Sequence, residues 1–288
     1  YEPEATPERG ELTLDNGQII RARLVVGADG AGSPVRGQAG IAQSVKPYQQ
    51  KALVAPLALE RPHRDGAWQW FGRHGVLALL PMPMHEALDF TATFPDLPRD
   101  SGGMRASLVW SAPIEQAEQM LADGPEALSQ ALTDLAGHAF GRIRVLEPAA
   151  GFELRLCSAS SMIAPRTVLV GDAAHVIHPL AGQGLNLGLA DVTTLLKVLE
   201  QARGHYRKAS FDPGNALLLR RFQRQRAEPV AAMQQITDIL SRVFDPTKPL
   251  VAGLPGFPPP LLRDAGWAVA SGSKFLRQQF VRYATQQF

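Results

Sequence analysis

The chain has 288 residues, 45% hydrophobic and 19% charged, with a formal net charge of +2. That is an ordinary globular composition, which excludes a disordered, collagenous or fibrous chain and allows one large domain or two of average size. No apolar run approaches the roughly 18 residues of a membrane-spanning helix, and no signal-peptide pattern is seen. Cys157 is the single cysteine, so an internal disulfide is excluded and a reducing cytosol fits; the residue reads as a small buried apolar group.

The first residues, Tyr1 to Pro7, read as loop rather than as the start of a domain. With no initiating Met, the chain is expected to be a piece of a longer protein. Residues 11–26, ELTLDNGQIIRARLVV, alternate apolar and polar positions around Asn16-Gly17, the signature of a tight hairpin. Leu24-Val25-Val26 is apolar on both faces, as in a strand buried in a layered α/β sheet. It runs into GADGAGSPVR, Gly27 to Arg36.

Residues 41–155 change character. KALVAPLAL, GVLALLPMP, LDFTATF and ASLVWSA are short apolar pieces separated by Pro, Gly and charge, and they predict antiparallel strands. Helical composition is expected between Ile114 and Phe140, then a strand at Phe152 to Leu156. Val168-Leu169-Val170 predicts another short buried strand. From Gly184 on, Leu185, Leu189, Val192, Leu196 and Leu199 form one stripe at helical spacing, read as a core face. Residues 214–244 predict an Arg-rich amphipathic helix, residues 245–260 hold six Pro, and residues 261–288 return to helix with Trp267, Phe275, Phe280 and Tyr283 among cations. From Arg220 to the end there are ten Lys/Arg against four Asp/Glu, a net +6 that leaves −4 for the rest. Such a tail suits an anionic partner (a membrane surface, RNA or an acidic protein) or is a solvated helix face.

Two segments carry chemistry. Gly171-Asp172 places a carboxylate at the end of a predicted parallel strand, where open α/β sheets bind ligands; it could accept two hydroxyl hydrogen bonds from a polyol, or simply cap the turn. Gly182-Gln183-Gly184-Leu185-Asn186-Leu187-Gly188 opens a helix. Its glycines let a flat ring approach the backbone, and its free N–H groups favour negative charge; alternatively they allow close helix packing. The spacing is one residue longer than a dinucleotide fingerprint, so this is not a pyrophosphate loop. Arg36 could meet a phosphate or form a helix-start ion pair. His175 and His178 lack further ligands at metal spacing, and neither a serine-hydrolase elbow nor a P-loop is present.

Together, GADGAGSPVR and VLVGDAAHVIHPLAGQGLNLGLADV resemble the DG and GD motifs of the flavin-dependent aromatic monooxygenases built like p-hydroxybenzoate hydroxylase. HPLAGQGLNLGLAD, LVWSAP and LLRRFQRQRAEPVAAM are closest to the ubiquinone-biosynthesis hydroxylases. The two motifs stand about 135 residues apart in the family's order.

The resemblance implies an α/β (α+β overall) fold, with a doubly wound FAD-binding domain interrupted by an antiparallel substrate domain and followed by C-terminal helices. The expected division is 1–40 and 156–204 for a partial FAD-binding domain, 41–155 for the substrate domain and 205–288 for the helical region. Asp172 would bind the ribityl chain of FAD. Gly182, Gln183, Gly184, Leu185 and Asn186 would lie against the flavin ring, where the helix end stabilises charge on the reduced flavin. The Pro179 carbonyl would face the substrate ring near the point of oxygen transfer. Asp29 and Arg36 would support the pyrophosphate region and the approach of NADH or NADPH, and His175 would be structural.

The implied activity is hydroxylation of a polyprenyl phenol with O2 through a flavin C4a-hydroperoxide shielded from water. Trp68, Trp70, Phe71 and Trp110 are candidates for the substrate wall. The implied place is cytoplasmic, with peripheral contact to the inner membrane or a biosynthetic complex through the basic C-terminal region, and no nucleic-acid partner is implied. The family's opening strand and GxGxxG fingerprint are not in this sequence, so the chain alone is expected to hold FAD weakly and to be nearly colourless. A flavin hydroxylase of a soluble aromatic, or a non-catalytic scaffold or lipid-binding member of a complex, are the alternatives.

Overall fold

The computed structural model describes residues 9–72, 74–83, 93–96, 104–179, 182–205 and 211–243. The fold is mixed α/β, in two compact units. Among the described residues, one comprises 9–46 and 155–241, and the other 47–154 with 242–243.

The first unit starts with the predicted hairpin. Strands β1 (Gly10–Thr13) and β2 (Ile19–Ala22) pair antiparallel, with Leu12 opposite Ile20. Gly17 closes the turn at φ +80°, a conformation that a side chain would disfavour. Strand β3 (Val25–Gly27) is followed by the short helix α1 (Pro34–Gln38). The chain returns to this unit late in the sequence. There β10 (Ile163–Ala164) turns antiparallel into β11 (Thr167–Leu169), and β11 pairs parallel with β3, Val26 opposite Val168.

After β11 come a 3-10 turn at Gly171–Ala173, strand β12 (His175–Val176), helix α3 (Gly184–His205) and helix α4 (Ala216–Val243). Val168, Leu169, Leu195, Val198, Leu219 and Phe222 form the centre of the core, so strand, α3 and α4 share one apolar layer. The region read as a separate C-terminal helical part thus contributes α4 to this unit. Residues 261–288 lie outside the described residues.

The second unit is an antiparallel sheet. It is built on β4 (Gln43–Leu59), β5 (Trp68–Gly72), β6 (Gly75–Pro81), β7 (Met104–Pro113), β8 (Ile143–Val145) and β9 (Ala150–Ala159). The strand order is β9-β4-β7-β6-β5, with β8 also on β4. The boundaries between the units fall inside β4, inside β9 and just before the last two residues of α4.

Helix α2 (Ile114–Leu135) is broken at Gly124, which has φ +86° and precedes Pro125, so a second helical segment starts there. Leu128 and Leu132 of α2 pack with Leu53, Leu57, Leu108 and Trp110. KALVAPLAL, GVLALLPMP and ASLVWSA therefore form the expected strands, while LDFTATF lies mostly outside the described residues. Trp110 is a core residue whose indole N–H donates to the His74 carbonyl at 2.8 Å, and Trp68 and Trp70 pack edge-on against Phe140.

Two burial expectations need correction. On α3 the stripe packs against the core only at Leu199; Leu185, Leu189, Val192 and Leu196 are 74%, 41%, 41% and 53% exposed. The buried face carries Leu187, Ala190, Asp191, Leu195 and Val198. Apolar residues occupy both faces, and the close approach of Gly188 to Gly171 selects the one that packs; a Cβ on Gly188 would lie 3.2 Å from the Gly171 Cα. Likewise β3 is buried on one face only, because Val26 is 46% exposed.

Candidate functional site

The parallel register of β3 and β11 brings the two motifs side by side although they are far apart in sequence. Val170 continues β11 by donating its N–H to the Gly27 carbonyl at 3.0 Å. The chain then turns through Gly171, at φ +59°, and presents the exposed Asp172 at the carboxyl end of the strand. This is where doubly wound sheets bind ligands.

In the other motif, Asp29 accepts the Val35 N–H at 3.0 Å and Ser33 Oγ accepts the Arg36 N–H at 2.9 Å, which together start α1. Burial pushes the Asp29 carboxyl up, but hydrogen bonds from Ser33 and the Val35 amide outweigh it and hold the group below its ordinary range. Arg36 is buried. Its guanidinium donates to the Ala173 carbonyl at 2.9 Å, to the Ala31 carbonyl at 2.9 Å and to Gln43 Oε1 at 3.0 Å. It therefore joins the loop before α1 to the turn that carries Asp172.

Beyond β12, His178 is buried, and desolvation pulls its imidazole from 6.5 down to about 4, with Asp238 opposing weakly; the ring is neutral at neutral pH. Pro179 is half-buried, and its carbonyl accepts the Gly182 N–H at 2.9 Å, leaving one lone pair. The Gln183 carbonyl accepts the Leu187 N–H at 2.9 Å and its side chain accepts from Asn186 Nδ2 at 3.1 Å. Gly184, Leu185 and Asn186 thus form the first turn of α3, whose amides have no carbonyl partner within the helix. A Cβ built on Gly182 or Gly184 meets no described atom within 4 Å, so this helix end is an open cradle into which a planar group would fit.

Behind the cradle lies a cluster that sequence reasoning missed. Asp191 is fully buried and accepts from three directions: the Gly171 amide at 2.8 Å, His175 Nε2 at 2.7 Å and Arg226 Nε at 2.6 Å. Arg226 also donates to the Leu187 carbonyl at 3.1 Å. The signal available was a carboxylate in phase with the apolar residues Leu187, Leu195 and Val198 of the same helix. Its cationic partner lies 35 residues away, beyond the reach of local pattern. Cys157 is buried as expected, and burial pushes its thiol up.

A family model described as FAD binding domain matches residues 3–213. Ubiquinone hydroxylase UbiL of Rhodospirillum rubrum is 38% identical over 232 residues, covering 81% of this chain and 49% of the relative. The 3-demethoxyubiquinol 3-hydroxylase of Escherichia coli is 34% identical over 281 residues, 95% of this chain and 62% of the relative. The chain thus spans about half to three fifths of the length of these curated relatives. The crystal structure of PqsL from Pseudomonas aeruginosa, described as a probable FAD-dependent monooxygenase, superposes with a TM-score of 0.62 at 25% identity, over 82% of this chain and 60% of that one. The matched span contains both motifs and the elements that join them, and the chain belongs to the FAD binding domain family.

Proposed function

We propose that this chain carries the ribityl- and ring-facing part of a FAD-dependent aromatic hydroxylase that acts on a polyprenyl phenol in ubiquinone biosynthesis. The observation that carries the reading is the exposed Asp172 at the end of β11, followed across β12 by an open glycine-lined start of α3. The names of the relatives from R. rubrum and E. coli supply the substrate class. Bound FAD, reduced by NADH or NADPH, would supply the activation of O2 and the transfer of oxygen to an electron-rich ring.

The protein's own part is binding and electrostatics. Asp172 accepts hydroxyl hydrogen bonds from the ribityl chain, as an ionised carboxylate can from two donors at once. The free amides of Gly184, Leu185 and Asn186, at the positive end of α3, favour negative charge on the ring that Gly182 and Gln183 also border. The remaining lone pair of the Pro179 carbonyl orients the substrate ring. Asp29 and Arg36 act through structure, holding α1 and the Asp172 turn in register beneath the pyrophosphate region.

Flavin titration of the chain and of Asp172→Ala, followed by flavin fluorescence, tests the site. We expect weak binding that drops by about tenfold or more without the carboxylate, the usual scale for a lost charge-assisted hydrogen bond. Equal affinity of the two proteins would remove Asp172 from the site. Turnover of a polyprenyl phenol against a soluble phenol by the complete protein identifies the substrate. Among the described residues no helix is long and apolar enough to cross a membrane. Contact with a membrane surface through the basic C-terminal region is part of the proposal, tested by vesicle co-sedimentation with and without residues 261–288.

A further inference from the structure

We propose that Asp191 is a positioning residue: its buried carboxylate fixes the turn that presents Asp172 and ties it to the first turns of α3. One carboxylate oxygen, Oδ2, accepts both the Gly171 amide at 2.8 Å and His175 Nε2 at 2.7 Å, so it holds the turn at its first residue and again four residues on. The other oxygen accepts Arg226 Nε at 2.6 Å, and the same guanidinium reaches the Leu187 carbonyl, one turn before Asp191 on α3. The result is a closed set of bonds among the Gly171 turn, β12, α3 and α4.

A carboxylate is the only side-chain group able to serve all these donors, because it accepts at both oxygens and donates at neither. Gly171 sits at φ +59° with the α3 backbone against it, so the turn has a narrow choice of conformations and a single anchor can select one. The link from this anchor to flavin rests on the proposed function above.

The test uses Asp191→Asn in the full chain, with the double variant Asp191→Asn/Arg226→Gln in case the single change leaves a buried cation that prevents folding. Amide exchange is read residue by residue by NMR. The expected result is that Gly171 and His175 accelerate at least about tenfold more than the core amides of Leu169 and Val198, which report any loss of global stability. Unchanged exchange at Gly171 in a folded variant overturns the proposal. Uniform acceleration of all four amides also overturns it, since that is general destabilisation.

Flavin titration separates the two levels. Lower affinity in both Asp172→Ala and Asp191→Asn supports the positioning role. Lower affinity in Asp172→Ala alone refutes the link from Asp191 to the flavin contact and leaves the site itself standing. Equal affinity in all proteins sinks the flavin site, and the exchange data still decide whether Asp191 sets the turn.

Discussion

The two units use apolar residues differently. In the antiparallel unit, Leu53, Leu57, Leu108 and Trp110 are essentially inaccessible, and so are neighbours on the opposite face such as Ala58 and Ser111. In the unit containing both motifs, α3 carries leucines on opposite faces, and only one face is covered by described residues. The difference teaches that apolar periodicity marks a surface suited to burial, not a surface that is buried. In the sheet the two coincide at these positions because residues two apart share a face, and Leu128 and Leu132 of α2 cover it. On α3 the helical repeat fits either face, and contacts made elsewhere decide.

The comparison is sharpest where burial involves charge. Asp191→Ala removes the partner of a buried guanidinium, and we expect a loss of about 3–5 kcal/mol in urea unfolding. A loss under about 1 kcal/mol would mean that water reaches the cluster, and would erase the contrast between the two faces of α3. In the antiparallel unit, Leu57→Ala or Leu108→Ala should each cost about 2–5 kcal/mol by leaving a cavity in a packed core. Hydrogen exchange should localise that loss to residues 47–154, and equal loosening of both units would show that they do not unfold separately.

A pH titration probes the motif-bearing unit by itself. The His178 imidazole has a folded-state value of about 4 against 6.5 when free, so the unfolded chain binds more protons between those two values. Stability should therefore fall as pH drops from about 6.5 to about 4, by roughly 3 kcal/mol in total, and not change further from this group below that. A His178→Asn variant should lack this part of the slope; an identical slope in both proteins would assign it to other groups. The smallest effect belongs to the exposed stripe. Leu185→Gln and Leu196→Gln should change stability by no more than about 0.5 kcal/mol, whereas Leu195→Ala, on the other face of the same helix, should cost about 2 kcal/mol or more. A large cost at Leu185 would show that the stripe is covered in solution.

Much of the architecture was legible in local pattern. Asn16-Gly17 announces its hairpin because few dipeptides accept the backbone angles such a turn needs. The strands of the antiparallel unit announce themselves by composition and spacing. At the candidate site, Asp172 and the glycines at 182 and 184 are recognisable because strand end and helix start are both encoded within a few residues. Arg36 was legible as a functional type but not in its partners: it spends its donors on the carbonyls of Ala31 and Ala173 and on Gln43.

By itself, the sequence determined the family, the two motifs and the elements on which each lies, since these depend on residues close together in the chain. Tertiary structure alone decided three further things. It paired β3 with β11, it turned Leu187 rather than Leu185 inward, and it closed Arg226 onto Asp191. Each depends on groups distant in sequence meeting at a few ångströms, where close packing of glycine backbones and the cost of a buried unpaired charge select one arrangement among several that local pattern allows equally.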